Sequence, residues 1–457
     1  MRRRLPPSYR NMHPVETAAG SQPPAQGTSA WEAPRQRLRN FLIVALVGAM
    51  PISIVLGDNR SATNMAASDA LMPLGILFLG GLLVRGRPRL PMITLCLLSL
   101  SCTVASIFYN LDTYFRNGQP VRIAIEVGKV AFLWLLFYLF INLVQTRSDL
   151  RLLVKVWVLG SVAEALCGIG ASLAYQLYGI ATPFSEMFRA QGTLGDSNLF
   201  AAHLTAGVLL TLLYRRLSSP VRTWTIFAIL AQLGGIYFSA SRGGLLSFGI
   251  GLVVLWLFVA TRRQKLASTA VGLGVVILIL WMINQNGRFT TNVIAERLKT
   301  STLSLDDPEA QQRVGLWRAA LQGFSNSPLL GVGSGNFAYL RAAGSQPGGK
   351  AHNTYLEILC ENGLLGFLVY MTFVVAVLSG LYRGGRSHLD SERRAANRIL
   401  FTAFVLVGLN GVTISIENYR GLWILLALLV AYQRLYLTRT LGSLAKASVV
   451  AVEQPAC

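Results

Sequence analysis

The sequence predicts an all-α, polytopic membrane protein with about twelve membrane-crossing helices. Three observations predict it. The 457 residues are 53% hydrophobic and only 13% charged, where a soluble domain carries about 25% charged residues. Mean hydropathy is +0.49. Apolar runs of about 17–25 residues, long enough to cross a bilayer, recur along the chain. Length alone would suggest about two or three soluble domains, but the charge is too sparse to cover their surfaces.

The runs lie near 41–57, 69–84, 91–109, 123–144, 151–178, 198–214, 222–239, 243–260, 267–283, 355–382, 398–416 and 420–437. The seventh and eighth join through Ser239-Ala240-Ser241-Arg242-Gly243. Their combined length, near ~40 residues, fits two spans better than one tilted span. Residues 1–40, rich in Pro, Gly, Ser and Gln, read as a disordered basic tail. The opening Met1-Arg2-Arg3-Arg4 is too far from the first apolar run for a signal peptide. The organisation expected is then tail 1–40, helices over 41–283, a long loop 284–354, helices over 355–437 and a second tail 438–457.

The chain has 41 Lys+Arg against 20 Asp+Glu, a formal charge of +21. Such an excess first suggests nucleic-acid binding. Its distribution points elsewhere. Arg35, Arg37 and Arg39 precede the first span, and alternate loops carry Arg85/Arg87/Arg89, Arg147/Arg151, Arg215/Arg216/Arg222, Arg262/Arg263/Lys265 and Arg383/Arg386/Arg393/Arg394. The intervening loops hold few basic residues, among them Arg60, Arg116, Arg122, Arg189, Arg242 and Arg420. By the positive-inside rule the first set is cytoplasmic, both termini included. The basic excess is largely a topology signal, and no nucleic-acid partner is expected. The five cysteines form no Cys-x-x-Cys pair, so neither a disulfide framework nor a metal site is expected.

The one long loop, 284–354, falls on the outer side under this assignment. Arg313, Leu316, Trp317, Ala320, Leu321 and Phe324 recur at helical spacing, which predicts an amphipathic helix over 309–325. Asp306-Asp307-Pro308-Glu309 supplies its N-terminal signals. A glycine-rich turn follows, Gly331-Val-Gly333-Ser-Gly335, with a short helix expected near 336–343. The spacing is not that of a P-loop, and the glycines read as close backbone packing on a neighbouring helix.

Ionisable groups at membrane depth carry a default functional hypothesis. His352 is the one histidine on the outer face and reads either as a general base near neutral pH or as an interfacial cap. Arg189, Arg242 and Arg313 share that face. Guanidinium forks match phosphate oxygens and stay charged in a dry site; alternatively each snorkels to the interface. Together they suggest a site for an anionic, membrane-embedded substrate. Glu357 and Glu361 either orient this set or pack at the interface. Glu126 and Lys129 read as a mutual pair, while Glu164 and His203 lie mid-membrane without an assigned role. No metal-ligand spacing is present, so a metal-free site is expected.

These residues also carry a resemblance. Arg189-Ala-Gln-Gly192-Thr-Leu-Gly195-Asp-Ser-Asn198, Ser239-Ala-Ser-Arg242-Gly-Gly, Arg313-x-x-x-Trp317, Ser327-Pro-Leu-Leu-Gly331-Val-Gly333 and His352-Asn353-Thr-Tyr-Leu-Glu357, in this order, resemble the O-antigen ligase/polymerase superfamily. The motifs cover residues 180–375 approximately. The likeness is greatest to the branch of lipopolysaccharide O-antigen ligases. It implies a metal-independent, inverting glycosyltransferase of the bacterial inner membrane, with its active site on the periplasmic face. The donor implied is a glycan on undecaprenyl diphosphate, and the acceptor a sugar hydroxyl of lipid A–core. Arg189 and Arg242 are implied to bind the diphosphate, Arg313 to assist and His352 to act as base, with Asn198, Trp317, Asn353 and Glu357 in support. A repeat-unit polymerase and a protein O-oligosaccharyltransferase share the donor and the motifs. A secondary transporter is the reading from another class; against it, the two halves of the sequence show no similarity.

Overall fold

The structure is a computed structural model and describes residues 32–56, 63–86, 88–118, 120–258, 308–340, 349–386 and 391–437. The expected ninth span, 267–283, lies outside the described residues, as do most of the two tails and Asp306-Asp307. Residues 1–38 separate as one unit and 39–457 as the other. The chain is predominantly helical: α1 Glu32–Ala49, α2 Met72–Leu83, α3 Ile93–Tyr109, α4 Leu111–Arg116, α5 Pro120–Leu143, α6 Arg147–Tyr178, α7 Ser197–Ser218, α8 Arg222–Phe238, α9 Arg242–Phe258, α10 Pro308–Asn326, α11 Thr354–Arg386, α12 Ser391–Asn410 and α13 Arg420–Tyr432. Among the described residues, four helices are long and apolar enough to cross a membrane: α5, α6, α7 and α11. The shorter apolar helices Ala67–Leu83, Ile93–Tyr109 and Arg242–Leu257 accompany them.

Three expectations are corrected. The first run, 41–57, is not one helix: α1 starts at Glu32, within the expected tail, and stops before Pro51. Proline cannot continue the helix beyond its first turn, and Ser53–Leu56 instead pairs antiparallel with Thr63–Ala66 (β1 and β2). A second small hairpin, Ser185–Glu186 with Arg189–Ala190 (β3 and β4), also departs from an all-helical chain. The eleventh run, 398–416, is helical only to Asn410; residues 411–419 are irregular.

The core is built on α7, which packs against α6, α8 and α12. Small residues let these helices approach closely, since a methyl at Gly235 would meet Leu204 and Ala165, and one at Gly207 would meet Ser161. Helix α13 packs on α5, and α11 lies against α3, α10 and α12. Trp134 of α5, Phe373 of α11 and Trp423 of α13 join these elements, with Trp134 4.8 Å from Phe373 and 5.3 Å from Trp423 between ring centres. Offset and edge contacts of this kind are favourable for aromatic quadrupoles. A bidentate ion pair, Arg420 Nη2 to Asp69 Oδ2 at 2.6 Å and Nε to Oδ1 at 3.3 Å, fixes the start of α13 to the turn before α2.

The glycine-rich turn after α10 packs as the sequence predicts. Helix α11 breaks at Gly363, with φ 63° and ψ −167°. The break exposes backbone groups that the 328–335 turn satisfies: Leu364 N donates to Pro328 O at 2.8 Å, Val332 N to Cys360 O at 2.9 Å and Gly333 N to Glu361 O at 3.1 Å. A Cβ at Gly363 would lie 2.3 Å from Leu329 O, and one at Gly331 2.4 Å from the Glu361 carbonyl carbon. Gly363→Ala is therefore expected to lower stability by about 1–2 kcal/mol from the left-handed backbone alone, and by more from the clash. Its thermal unfolding midpoint in detergent should fall well below that of Gly170→Ala, where nothing lies within 4 Å of the added methyl.

Candidate functional site

Arg189 stands on the second strand of the β3–β4 hairpin, whose turn needs Met187 at φ 52°. Its guanidinium donates from Nε to Ser239 O at 3.3 Å, from Nη2 to Asn198 Oδ1 at 3.4 Å and from Nη1 to Glu186 Oε2 at 3.4 Å. The next turn is anchored from below. Glu164 of α6, buried, accepts from Thr193 N at 2.8 Å and from the Thr193 hydroxyl. This gives Glu164 the role that sequence reading left open: it pins the turn that leads from Arg189 into α7. Asp196 caps that helix, accepting from Asn198 N at 2.7 Å and Leu199 N at 2.9 Å.

Asn198 joins Arg189 to the α8–α9 turn, because the same Oδ1 accepts from Ser241 Oγ at 2.8 Å. That turn is tight. Ala240 sits at φ 49°, Ser239 Oγ accepts from Ser241 N at 3.1 Å, and Ser241 Oγ accepts from Gly244 N at 3.2 Å. A methyl at Gly243 would meet Thr413 Oγ1 at 2.6 Å, and one at Gly244 would meet Ala201 Cβ at 2.5 Å. The small residues of the Ser-Ala-Ser-Arg-Gly-Gly stretch thus let the turn press into its neighbours, and Arg242 opens α9 from a fixed position. Arg242 Nη2 reaches Glu309 Oε2, in the first turn of α10, at 2.8 Å.

Helix α10 spans Pro308–Asn326, against the 309–325 expected. Its apolar face is Leu316, Ala319 and Ala320, which cluster with Phe337, Ala351 and Cys360. Leu321, expected on that face, is exposed. The short helix expected near 336–343 is a 3-10 segment, Asn336–Tyr339, followed by extended Leu340; residues 341–343 lie outside the described residues. Arg313 is half-buried one turn before Leu316. The Trp317 indole N–H is buried without a hydrogen-bond partner among the described residues, so the structure shows no polar role for it.

His352 lies just before α11, its backbone held in the left-handed region at φ 48°. Glu357 explains how. Its buried carboxylate accepts from Ala351 N at 3.1 Å and from the Ser415 hydroxyl, fastening the backbone beside the histidine. Asn353 caps α11, its Oδ1 accepting from Tyr355 N at 3.0 Å and Leu356 N at 3.1 Å. Thr354 N donates to Gly411 O at 2.8 Å, and the Thr354 hydroxyl accepts from Ile416 N at 2.7 Å. Among the described residues the imidazole itself makes no side-chain hydrogen bond. Burial lowers the His352 pKa below the ordinary histidine value; the cations Arg313 and Lys350 lower it further, and Asp196 opposes them. The imidazole is thus biased toward its neutral, proton-accepting form.

Arg189, Arg242, Arg313 and His352 therefore belong to one connected region. The links are Asn198, the Ser241 turn, Glu309 and the field of Asp196 and Arg313 at His352. Sequence reading missed the 411–417 segment that frames the histidine turn. Asn410-Gly411 and Ser415 inside the 398–416 run, with Glu417 just after it, were the available signal. It also missed Glu309 as the partner of Arg242. His203 is a separate matter: Nδ1 lies 2.6 Å from Tyr419 Oη and Nε2 3.2 Å from Ser161 Oγ, deep in the helix core. Glu126 pairs with Lys129 at 2.5 Å, as the spacing predicts. Among the described residues no group of three His, Cys, Asp or Glu side chains converges to hold a metal ion.

Residues 226–371 match the family model described as O-antigen ligase. The matched segment includes Arg242, Arg313 and His352, but not Arg189. A teichuronic acid biosynthesis protein of Bacillus subtilis is 22% identical over 311 residues, 64% of this chain and 63% of that one. A protein of Rickettsia conorii with the provisional name polysaccharide ligase is 24% identical over 237 residues, 48% of this chain and 52% of that one. The matches thus extend over about half to just under two thirds of these relatives' lengths.

Proposed function

We propose that this chain, a member of the O-antigen ligase/polymerase superfamily, transfers a glycan from undecaprenyl diphosphate onto a sugar hydroxyl of lipid A–core at the periplasmic face of the inner membrane. The observation that supports it most is the convergence of Arg189, Arg242 and Arg313 on the region of one histidine biased toward neutrality. The orientation rests on the basic loops, whose excess of Lys and Arg favours cytoplasmic termini under the positive-inside rule.

His352 accepts the proton of the acceptor hydroxyl as its oxygen attacks the anomeric carbon. The new C–O bond forms on the face opposite the leaving group, so a single displacement inverts that carbon. The bond to the diphosphate breaks, and its electron pair leaves on the lipid diphosphate. Arg189 and Arg242 stabilise that charge, with Arg313 beside them, in a site poor in water. Guanidinium groups supply the positive charge, so the reading needs no metal.

The pH profile follows from the groups around His352. The acid limb of kcat/KM, which reports the free enzyme, is expected below the ordinary histidine value of about 6.5. Arg313→Gln removes a cation that opposes protonation, so the limb moves to higher pH. Asp196→Asn removes an anion that favours protonation, so it moves to lower pH. A limb that both variants leave in place would remove His352 from the role of base.

The relatives are named for teichuronic acid biosynthesis and for polysaccharide ligation, and a repeat-unit polymerase, which would use the same donor, is the second reading. The acceptor separates them. In a Gram-negative host that depends on this chain, loss of long-chain lipopolysaccharide with accumulation of lipid-linked glycan in His352→Ala supports the ligase. Core bearing a single repeat supports the polymerase. An unchanged ladder would refute glycan transfer.

A further inference from the structure

His203 of α7 is buried and takes no part in the reaction proposed above. Its ring bridges three elements. Nε2 lies 3.2 Å from Ser161 Oγ of α6, and Nδ1 lies 2.6 Å from Tyr419 Oη, at the start of α13. One face stacks on Trp157 of α6, with 5.7 Å between ring centres and 17° between planes. A neutral imidazole has one donor and one acceptor, and a hydroxyl can serve as either, so both contacts are satisfied together. An apolar ring would fill the same space without the cost of burying polar nitrogens. The polarity at this position therefore needs a reason beyond packing.

Both ends of the bridge lead to the candidate site. On α6, Ser161 stands one turn before Glu164, whose carboxylate holds the Thr193 turn that follows Arg189. On the other side, Tyr419 closes the irregular segment 411–419. Tyr419 N donates to Ile416 O at 3.0 Å, and Ile416 N donates to the Thr354 hydroxyl at 2.7 Å. The Ser415 hydroxyl donates to Glu357, which accepts from Ala351 N. Thr354, Glu357 and Ala351 are the residues that fix the backbone around His352. Residues 411–419 form no helix or strand of their own, so contacts such as the one at Tyr419 decide where the segment lies.

We propose that His203 is a positioning residue: through Tyr419 it ties the 411–419 segment to α6, and so sets His352 in register with the Arg189 turn. The proposal rests on the reading of His352 as the base. His203 itself meets neither substrate nor the reacting atoms. Without the bridge, α7 keeps its apolar packing on α6, α8 and α12, while the segment that frames the histidine turn loses its tie to α6. Small displacements of this kind matter, because a misplacement of about 1 Å far from the chemistry lowers rates about 10²-fold.

Tyr419→Phe is the first test, because it removes one hydroxyl and keeps the ring. The full-length protein in nanodiscs is assayed on a lipid-diphosphate glycan and lipid A–core. Tyr419→Phe is expected to lower kcat about tenfold, short of a full 1 Å misplacement, with little change in the donor KM. His203→Leu should lose as much, and the double variant no more than either alone, since one contact is removed in each case. His203→Asn, whose amide can still meet the Tyr419 hydroxyl, should recover most of the rate. The same Tyr419→Phe change is then made in His352→Gly. A loss routed through His352 vanishes there, whereas a general loosening of the fold costs the same factor in both backgrounds. Unfolding midpoints accompany each variant; should His203→Leu fail to fold, Tyr419→Phe decides. If His352→Gly is as active as the native chain, the base reading falls and the proposal with it. If His352→Gly loses its rate while Tyr419→Phe transfers as fast as the native chain, or loses equally in both backgrounds, the positioning role is overturned and the base reading stands.

Discussion

Replacing His352 is expected to lower kcat by about 10²- to 10⁴-fold, the usual contribution of a positioned general base. The donor KM should change little, because in the proposed reaction the imidazole meets the acceptor hydroxyl and not the diphosphate. Glycine is the more informative substitution. His352 holds φ 48°, a conformation glycine adopts freely, so His352→Gly removes the side chain without straining the turn. The Glu357 bond to Ala351 N and the Asn353 cap involve backbone that glycine leaves intact. Added imidazole should restore part of the rate in His352→Gly if the lost function is proton acceptance. Glu357→Gln should behave differently. It can still accept from Ala351 N and Ser415, so it should cost far less than Glu357→Ala, which frees the turn.

The second large effect belongs to Arg242. Arg242→Ala is expected to lower turnover by about 10²- to 10³-fold, comparable to removing one donor from a preorganised oxyanion site. The loss should fall on kcat as well as on binding, since charge on the departing diphosphate grows in the transition state. Lysine should recover only part, because a point charge does not reproduce the planar fork. Arg189 should show the same pattern more weakly, as Asn198, Ser239 and Glu186 already occupy its donors. Single-turnover rates on a lipid-diphosphate glycan, with each variant's unfolding midpoint as control, measure both.

The helices that position the site were legible because apolar runs and caps are local signals. The loop helix came within one residue of its observed ends, since its face at Leu316 and Ala320 repeats at helical spacing and Pro308-Glu309 marks its start. The glycine turn was legible as close backbone packing, although its partner, the break at Gly363, was not. Other features depend on contacts between distant segments. Ser415 and Glu357 are 58 residues apart, and Arg242 and Glu309 are 67 apart. No spacing rule reaches that far. The run 398–416 misled for a physical reason: Asn410 and Ser415 sit beside enough apolar residues to keep the segment hydrophobic on average, and Glu417 falls just past its end. Their polar groups nevertheless serve the histidine turn, so the chain leaves the helix at Asn410.

As proposed, this chain breaks a glycan–diphosphate bond, and His352 and Arg242 do the work. The most direct measurement uses purified full-length protein in nanodiscs with a glycan on undecaprenyl diphosphate and lipid A–core. Free undecaprenyl diphosphate and glycosylated acceptor are followed together. The native chain is expected to release the two in equal amounts, with inversion at the transferred anomeric carbon, and His352→Gly and Arg242→Ala to release neither at a comparable rate. Equal transfer by the native chain and both variants would contradict it.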